Sequence, residues 1–152
     1  MKLAVALQER NDLNQKIAQL KYRLELNAVV QEGEKTAENP EELLEELNKC
    51  YKKLEVLIAR INKTNCTHQT SYDNLTITEL IAKKDVLTSK INSYQSIVNT
   101  ASNLVGRVSR NEIKVLSNVD VKKIQKEIDK MSKELRIVSN TIEEANWNIE
   151  II

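Results

Sequence analysis

The sequence has little of what interrupts a helix. Its 152 residues include 2 glycines, 1 proline and no phenylalanine, and aromatics make up 3%. So few turn-formers exclude the many reversals of a sandwich or barrel. With Gly33 and Gly106 as the whole glycine complement, a Gly-rich phosphate loop is excluded too. Cys50, Cys66 and His68 lack zinc-ligand spacing, and a di-iron bundle needs Glu-x-x-His on paired helices, which one loop histidine does not supply. No metal and no cofactor are expected. A net charge of +1 excludes the single-sign field of a nucleic-acid binder, and no stretch approaches the ~20 apolar residues of a membrane span.

Export signals are equally thin. The apolar start, Leu3-Ala4-Val5-Ala6-Leu7, is cut off by Gln8-Glu9-Arg10, short of the ~7 to 15 residues of a secretory core. The Asn-x-Thr triplets at Asn62, Asn65 and Asn74 then have no glycosylation to report. Cys50 and Cys66, on one helix, would stand roughly 24 Å apart at ~1.5 Å per residue, too far for a disulfide. A cytoplasmic protein is expected.

What the chain does have is period. Val121, Ile124, Ile128, Met131, Leu135, Val138, Ile142, Ala145, Ile149 and Ile152 alternate steps of three and four without exception. This spacing predicts one long helix over 120–151 with a heptad seam. Leu3, Ala6, Arg10, Leu13, Ile17, Leu20 and Leu24 predict a first helix over 2–27. Leu44, Leu47, Tyr51, Leu54, Ile58, Ile61 and Asn65 predict a second over 41–65, begun by the cap Asn39 and by Pro40. Leu80, Lys84, Leu87, Ile91, Tyr94, Val98 and Ala101 predict a third over 77–102, announced by the capping box from Thr76 to Glu79. The expected fold is all-α: one domain over 1–152, an up-down bundle of four heptad-patterned helices.

The connections complete it. Residues 28–39 and 103–119 are long for turns, and Glu112-Ile113-Lys114-Val115-Leu116 alternates as a strand does, so a small two-stranded ribbon is expected between them. Residues 66–75, with Tyr72-Asp73-Asn74 at the tip, read as a loop or short hairpin.

Of 31 seam positions, 28 are apolar or Tyr, so Arg10, Asn65 and Lys84 carry the functional argument. An up-down order gathers them at one bundle end with Glu9, Asn62, Asp85, Glu144, Asn146 and Asn148. A charge taken into a bundle needs a partner, and Glu9, Asp85 and Glu144 are the carboxylates within reach. Such a cluster either specifies register and subunit number, as a buried Asn does, or binds a small ligand. Arg10 and Lys84 suit an anion; carboxylates and Asn oxygens suit a hard cation. An enzyme would need a carboxyl or lysine shifted by burial, and the nucleophile pair Cys66 and His68 is a pair of loop neighbours; no catalytic residue is assigned.

Trp147 stands off the seam, near the face of Ile137 and Ile151, and marks a second apolar surface suited to an interface. Arg110, Glu112 and Lys114 form a second polar group at the other end, placed to hold the ribbon and a neighbouring subunit. The expected partner is a further copy of the chain, with neither nucleic acid nor membrane involved.

Several blocks also resemble a known family. They are Lys2-Leu3-Ala4 with Leu7-Gln8-Glu9-Arg10, the run from Asn27-Ala28-Val29-Val30 to Glu34, Leu57-Ile58-Ala59-Arg60 continuing to Asn65, Lys84-Asp85-Val86-Leu87, Ser109-Arg110-Asn111-Glu112-Ile113-Lys114, and Glu144-Ala145-Asn146-Trp147. In order and spacing this is similar to the septicolysin and septicolysin-like family, small bacterial helical proteins of unknown function. The resemblance implies a homo-oligomer, a hexamer built from dimers. It also supplies an alternative function, a membrane-damaging cytolysin, which liposome leakage would distinguish.

Overall fold

A computed structural model of the protein describes residues 1–103 and 114–152. These form four helices, α1 (Leu3–Leu26), α2 (Pro40–Thr67), α3 (Ile77–Ser102) and α4 (Val121–Asn148), with no strand among the described residues beyond two isolated antiparallel bridges. The protein is all-helical.

The helix starts are where the local chemistry puts them. Asn39 Oδ1 accepts from Glu41 N at 3.0 Å, with Pro40 in the first turn. Thr76 and Glu79 form the reciprocal capping box, and Asp120 Oδ1 accepts from Lys123 N at 3.1 Å. At α1, Lys2 offers no side-chain cap, and Leu3 N instead donates to Ile149 O at 2.9 Å.

The described residues fall into two compact units. Unit 1 comprises residues 1–68 and 145–152. Its core is Ile17, Leu20, Leu43 and Cys50, joined by Leu13, Leu24, Leu47 and Leu54. Lys16 pairs with Glu46 at 2.6 Å and Arg23 with Glu38, so later α1 residues meet earlier α2 residues and the helices run antiparallel. Unit 2, residues 69–144, has its core in Leu80, Leu87 and Val98 of α3 and Ile128, Met131, Val138 and Ile142 of α4. Its entry turn holds Asp73 and Asn74 at φ 49° and 55°, a left-handed pair suited to Asp and Asn, closed by Thr70 N donating to Leu75 O at 2.8 Å. The expected hairpin with this tip is present.

Three local expectations need correction. The first concerns the seam of α2. The buried row is Leu43, Cys50, Leu57, Ile61 and Thr64, whereas Leu44, Tyr51 and Ile58 are 51%, 49% and 38% exposed. Both rows alternate threes and fours and share Leu47, Leu54 and Ile61, so periodicity alone cannot choose between them. Packing chooses, by closing the hairpin over the smaller Cys50 and Thr64 and leaving the Tyr51 ring and hydroxyl outside.

The second is the ribbon. Residues 28–39 carry no strand. Their backbone groups are met locally: Gly33 at φ 82° allows Glu34 N to donate to Gln31 O, and Glu38 N donates to Asn27 Oδ1 at 3.0 Å. Residues 114–119 are unpaired in strand terms, and the remainder of that expectation, with Arg110 and Glu112, lies outside the described residues. Third, α4 stops at Asn148. Beyond it Ile151 N donates to Met1 O at 2.9 Å and Ile152 N to Thr64 Oγ1 at 3.0 Å. These bonds turn Ile151 into the core, so it does not share the exposed face expected with Trp147 and Ile137.

Candidate functional site

Within unit 1 the polar residues at the start of α1 and the end of α2 divide into a buried tie and an exposed surface. Thr64 is fully buried, and its Oγ1 donates to Arg60 O at 2.8 Å while accepting from Ile152 N. Arg60 Nε donates to Ile152 O at 2.9 Å, and Lys2 Nζ to Asn148 O at 2.9 Å. Thr64 and Arg60 thus anchor Ile152 against α2. Asn65, the neighbour expected on the seam, is half-buried, and its Oδ1 is buried without a hydrogen bond among the described residues. Such an acceptor is costly to leave unmet.

The other expected residues lie outside. Arg10 and Asn62 are exposed and Asn146 half-buried in unit 1; Lys84, Asp85 and Glu144 are exposed in unit 2. Among the described residues neither Arg10 nor Lys84 makes an ion pair. Their charges need no buried partner, because both residues are exposed and a long flexible stem can carry a charged head to water. Lys114 is exposed, Ile137 is exposed, and Trp147 is 66% exposed.

Two features carry chemistry that spacing did not announce. A cleft of about 490 Å³ in unit 1 is lined by Glu9, Lys52, Lys53 and Arg60 with Met1, Val56 and Leu57. Three cations against one carboxylate make it attractive to an anion. In unit 2, Glu134 Oε1 accepts from Tyr72 OH at 2.9 Å and pairs with Lys83 Nζ at 2.8 Å, while Lys83 lies 5.6 Å from the Tyr72 ring centre. Lys83 and Tyr72 hold the Glu134 carboxyl below the ordinary range, and Glu134 holds Lys83 above its own. Burial first, and then the Glu134 hydrogen bond, push the Tyr72 phenol up. This group pins the 69–76 turn to α3 and α4. It spans 62 residues of sequence, which is why no local pattern announces it.

Among the described residues no three His, Cys, Asp or Glu side chains are grouped for a metal, and no helix is long and apolar enough to cross a membrane.

Comparison with known proteins gives a family without a function. The chain is similar along its whole length to a functionally unknown conserved protein from Corynebacterium diphtheriae of known crystal structure. The two are 33% identical with a TM-score of 0.83, and the match covers 100% of this chain and 99% of that one. No curated protein matches. Nothing connects the chain with septicolysin, so that resemblance is corrected, and the cytolysin alternative loses the family label that supplied it. Short helical blocks in Leu, Lys, Glu and Asn recur among unrelated bundles and carried that resemblance further than their specificity allows. Residues 10–151 match the model described as a family of unknown function (DUF6847), and the chain belongs to that family.

Proposed function

We propose that the protein is a cytoplasmic homo-oligomeric helical protein whose role is executed by its assembled form. The observation that supports this is the row Leu44, Tyr51 and Ile58. Isolated exposed hydrophobics are ordinary on a monomer, but three at intervals of seven on one helix form a stripe. Helices that pack on more than one neighbour are apolar at the two seam positions and at one flanking position, and α2 has this pattern. Trp147 adds a large exposed aromatic of the kind enriched at interfaces. Asn62, Asn65 and Asn146, with Arg10, Lys84, Asp85, Glu144 and Lys114, then serve as polar groups that specify how copies meet. A closed symmetric assembly is the expected outcome, with a dimer as its step and a hexamer among the sizes to test.

The test uses the single tryptophan. Native mass spectra read the subunit number, and Trp147 emission followed on dilution reads whether the indole leaves a covered site. A discrete oligomer with a red shift on dilution supports the reading. A monomer at every concentration with unchanged emission refutes it.

A second reading has its own observation, the cationic cleft. In this reading the small ligand is an anion held by Lys52, Lys53 and Arg60. Retention of an anionic mass by the native protein, lost in Lys52→Glu with Lys53→Glu, would support it. A bare oligomer and no phosphate-dependent shift in melting would remove it.

A further inference from the structure

We infer that the row on α2 is the centre of a two-fold interface in which α2 packs antiparallel on α2 of a second copy, with Tyr51 on the axis. This inference rests on the oligomeric reading above and specifies its partner and register. Leu44 and Ile58 each lie seven residues from Tyr51, so an antiparallel pair centred there sets Leu44 against Ile58 of the second copy, Ile58 against Leu44, and Tyr51 against Tyr51. The Leu44–Ile58 contact is made twice and Tyr51 meets its own copy once on the axis, as an isologous interface requires. The corresponding row on α1 is Leu7, Asn14 and Lys21, with one apolar member, so the facing helix is α2 and not α1.

Charge selects the same arrangement. The row bordering Leu44, Tyr51 and Ile58 on the solvent side is Glu41, Asn48, Glu55 and Asn62, all exposed. In the antiparallel register Glu41 meets Asn62 of the second copy and Glu55 meets Asn48, so each carboxylate faces an amide that can donate to it. Glu41 and Glu55 are uncommitted within the chain: among the described residues neither makes an ion pair. A parallel two-fold pair would carry this row to opposite sides of the interface, so these carboxylates and amides would not meet. The helix as a whole repeats this logic, being acidic at Glu41, Glu42, Glu45 and Glu46 and largely basic from Lys49 to Lys63. Antiparallel pairing lays the acidic part over the basic part and opposes the two helix dipoles.

Two substitutions on exposed positions test this without touching the core. Asn48→Glu places a second carboxylate opposite Glu55 at both symmetry-related contacts and should weaken the dimer about tenfold in sedimentation equilibrium. Adding Glu55→Lys should restore or exceed the original affinity, with unchanged helical circular dichroism throughout. In a Cys66→Ser background, Tyr51→Cys should form a disulfide-linked dimer under oxidised glutathione, while Leu44→Cys alone should not. If the protein is oligomeric but indifferent to Asn48→Glu, and Tyr51→Cys does not cross-link, this pairing is wrong and the assembly reading survives. A protein monomeric at all concentrations overturns both.

Discussion

Leu43 and Leu44 are the same residue type on adjacent positions of one helix, and the structure assigns them opposite fates. Leu43 is 5% exposed in the α1–α2 core, and Leu44 is 51% exposed beside it. Truncating Leu43 to alanine removes about three methylene-sized groups at ~0.8 kcal/mol each, and the incompletely filled cavity raises the loss to about 3 kcal/mol. Truncating Leu44 removes the same atoms from a site half in water, leaves no cavity and places a better helix former there, so the loss is below about 1 kcal/mol. The gap of roughly 2 kcal/mol corresponds to about a thirtyfold difference in unfolding equilibrium, and Leu43→Ala alone should lower Tm by roughly 6 to 12 °C. Urea denaturation followed by circular dichroism, at concentrations low enough to dissociate any oligomer, gives both values. Equal losses, or a larger one for Leu44→Ala, would refute the assignment of the seam to Leu43, Cys50 and Leu57. Association changes the comparison in a defined way: Leu44→Ala should become more costly as concentration rises, and Leu43→Ala should not.

Other consequences are as direct. Thr64→Val keeps the shape of the buried side chain but removes the acceptor of Ile152 N, so it should cost about 1 to 2 kcal/mol and accelerate hydrogen exchange at the Ile152 amide; unchanged protection would mean that this bond does not hold the segment. Asn65→Leu replaces a buried oxygen that has no partner among the described residues and should raise stability by about 1 kcal/mol in the dissociated chain. If the melting point falls instead, that oxygen has a partner in solution. The Glu134 carboxyl has its pKa depressed by Lys83 and Tyr72, so its stabilising contribution is complete above the ordinary carboxylate pKa and is lost as pH falls from there through the lowered folded value. Lys83 is raised, so its contribution is complete below the ordinary lysine pKa and is lost as pH rises through the folded value. Glu134→Gln should flatten both limbs of a stability-against-pH curve, and a curve identical to that of the parent would discard the Tyr72–Lys83–Glu134 tie.

The parts that could be read from sequence were those where neighbours in the chain are also neighbours in space. The capping box at Thr76, the Asn39 and Asp120 caps and the four helices follow from residues two to four apart, which a helix brings together whatever surrounds it. The turn at Asp73 and Asn74 belongs with them, since left-handed backbone there depends on those side chains. The candidate site was legible only in part. Arg10 and Lys84 occupy seam positions by count, but a long side chain can leave a seam, and both are exposed. Asn65 is the polar end of the expected row, while the polar residue tied by hydrogen bonds is Thr64, one position earlier, bonded to a chain segment 88 residues away. Asn27 holds the start of the returning chain through Glu38, and the Tyr72–Glu134 tie has no local signal of any kind.

By itself the sequence determined that this chain is helical, where three of its helices begin, and that each helix has an apolar face, because these depend on backbone propensity and on a 3.6-residue period. Tertiary structure decided which of two equivalent rows on α2 is buried, where α4 ends, and which polar groups are tied. Each of those outcomes depends on what stands opposite in space, and a period in one helix carries no information about the shape of its neighbour.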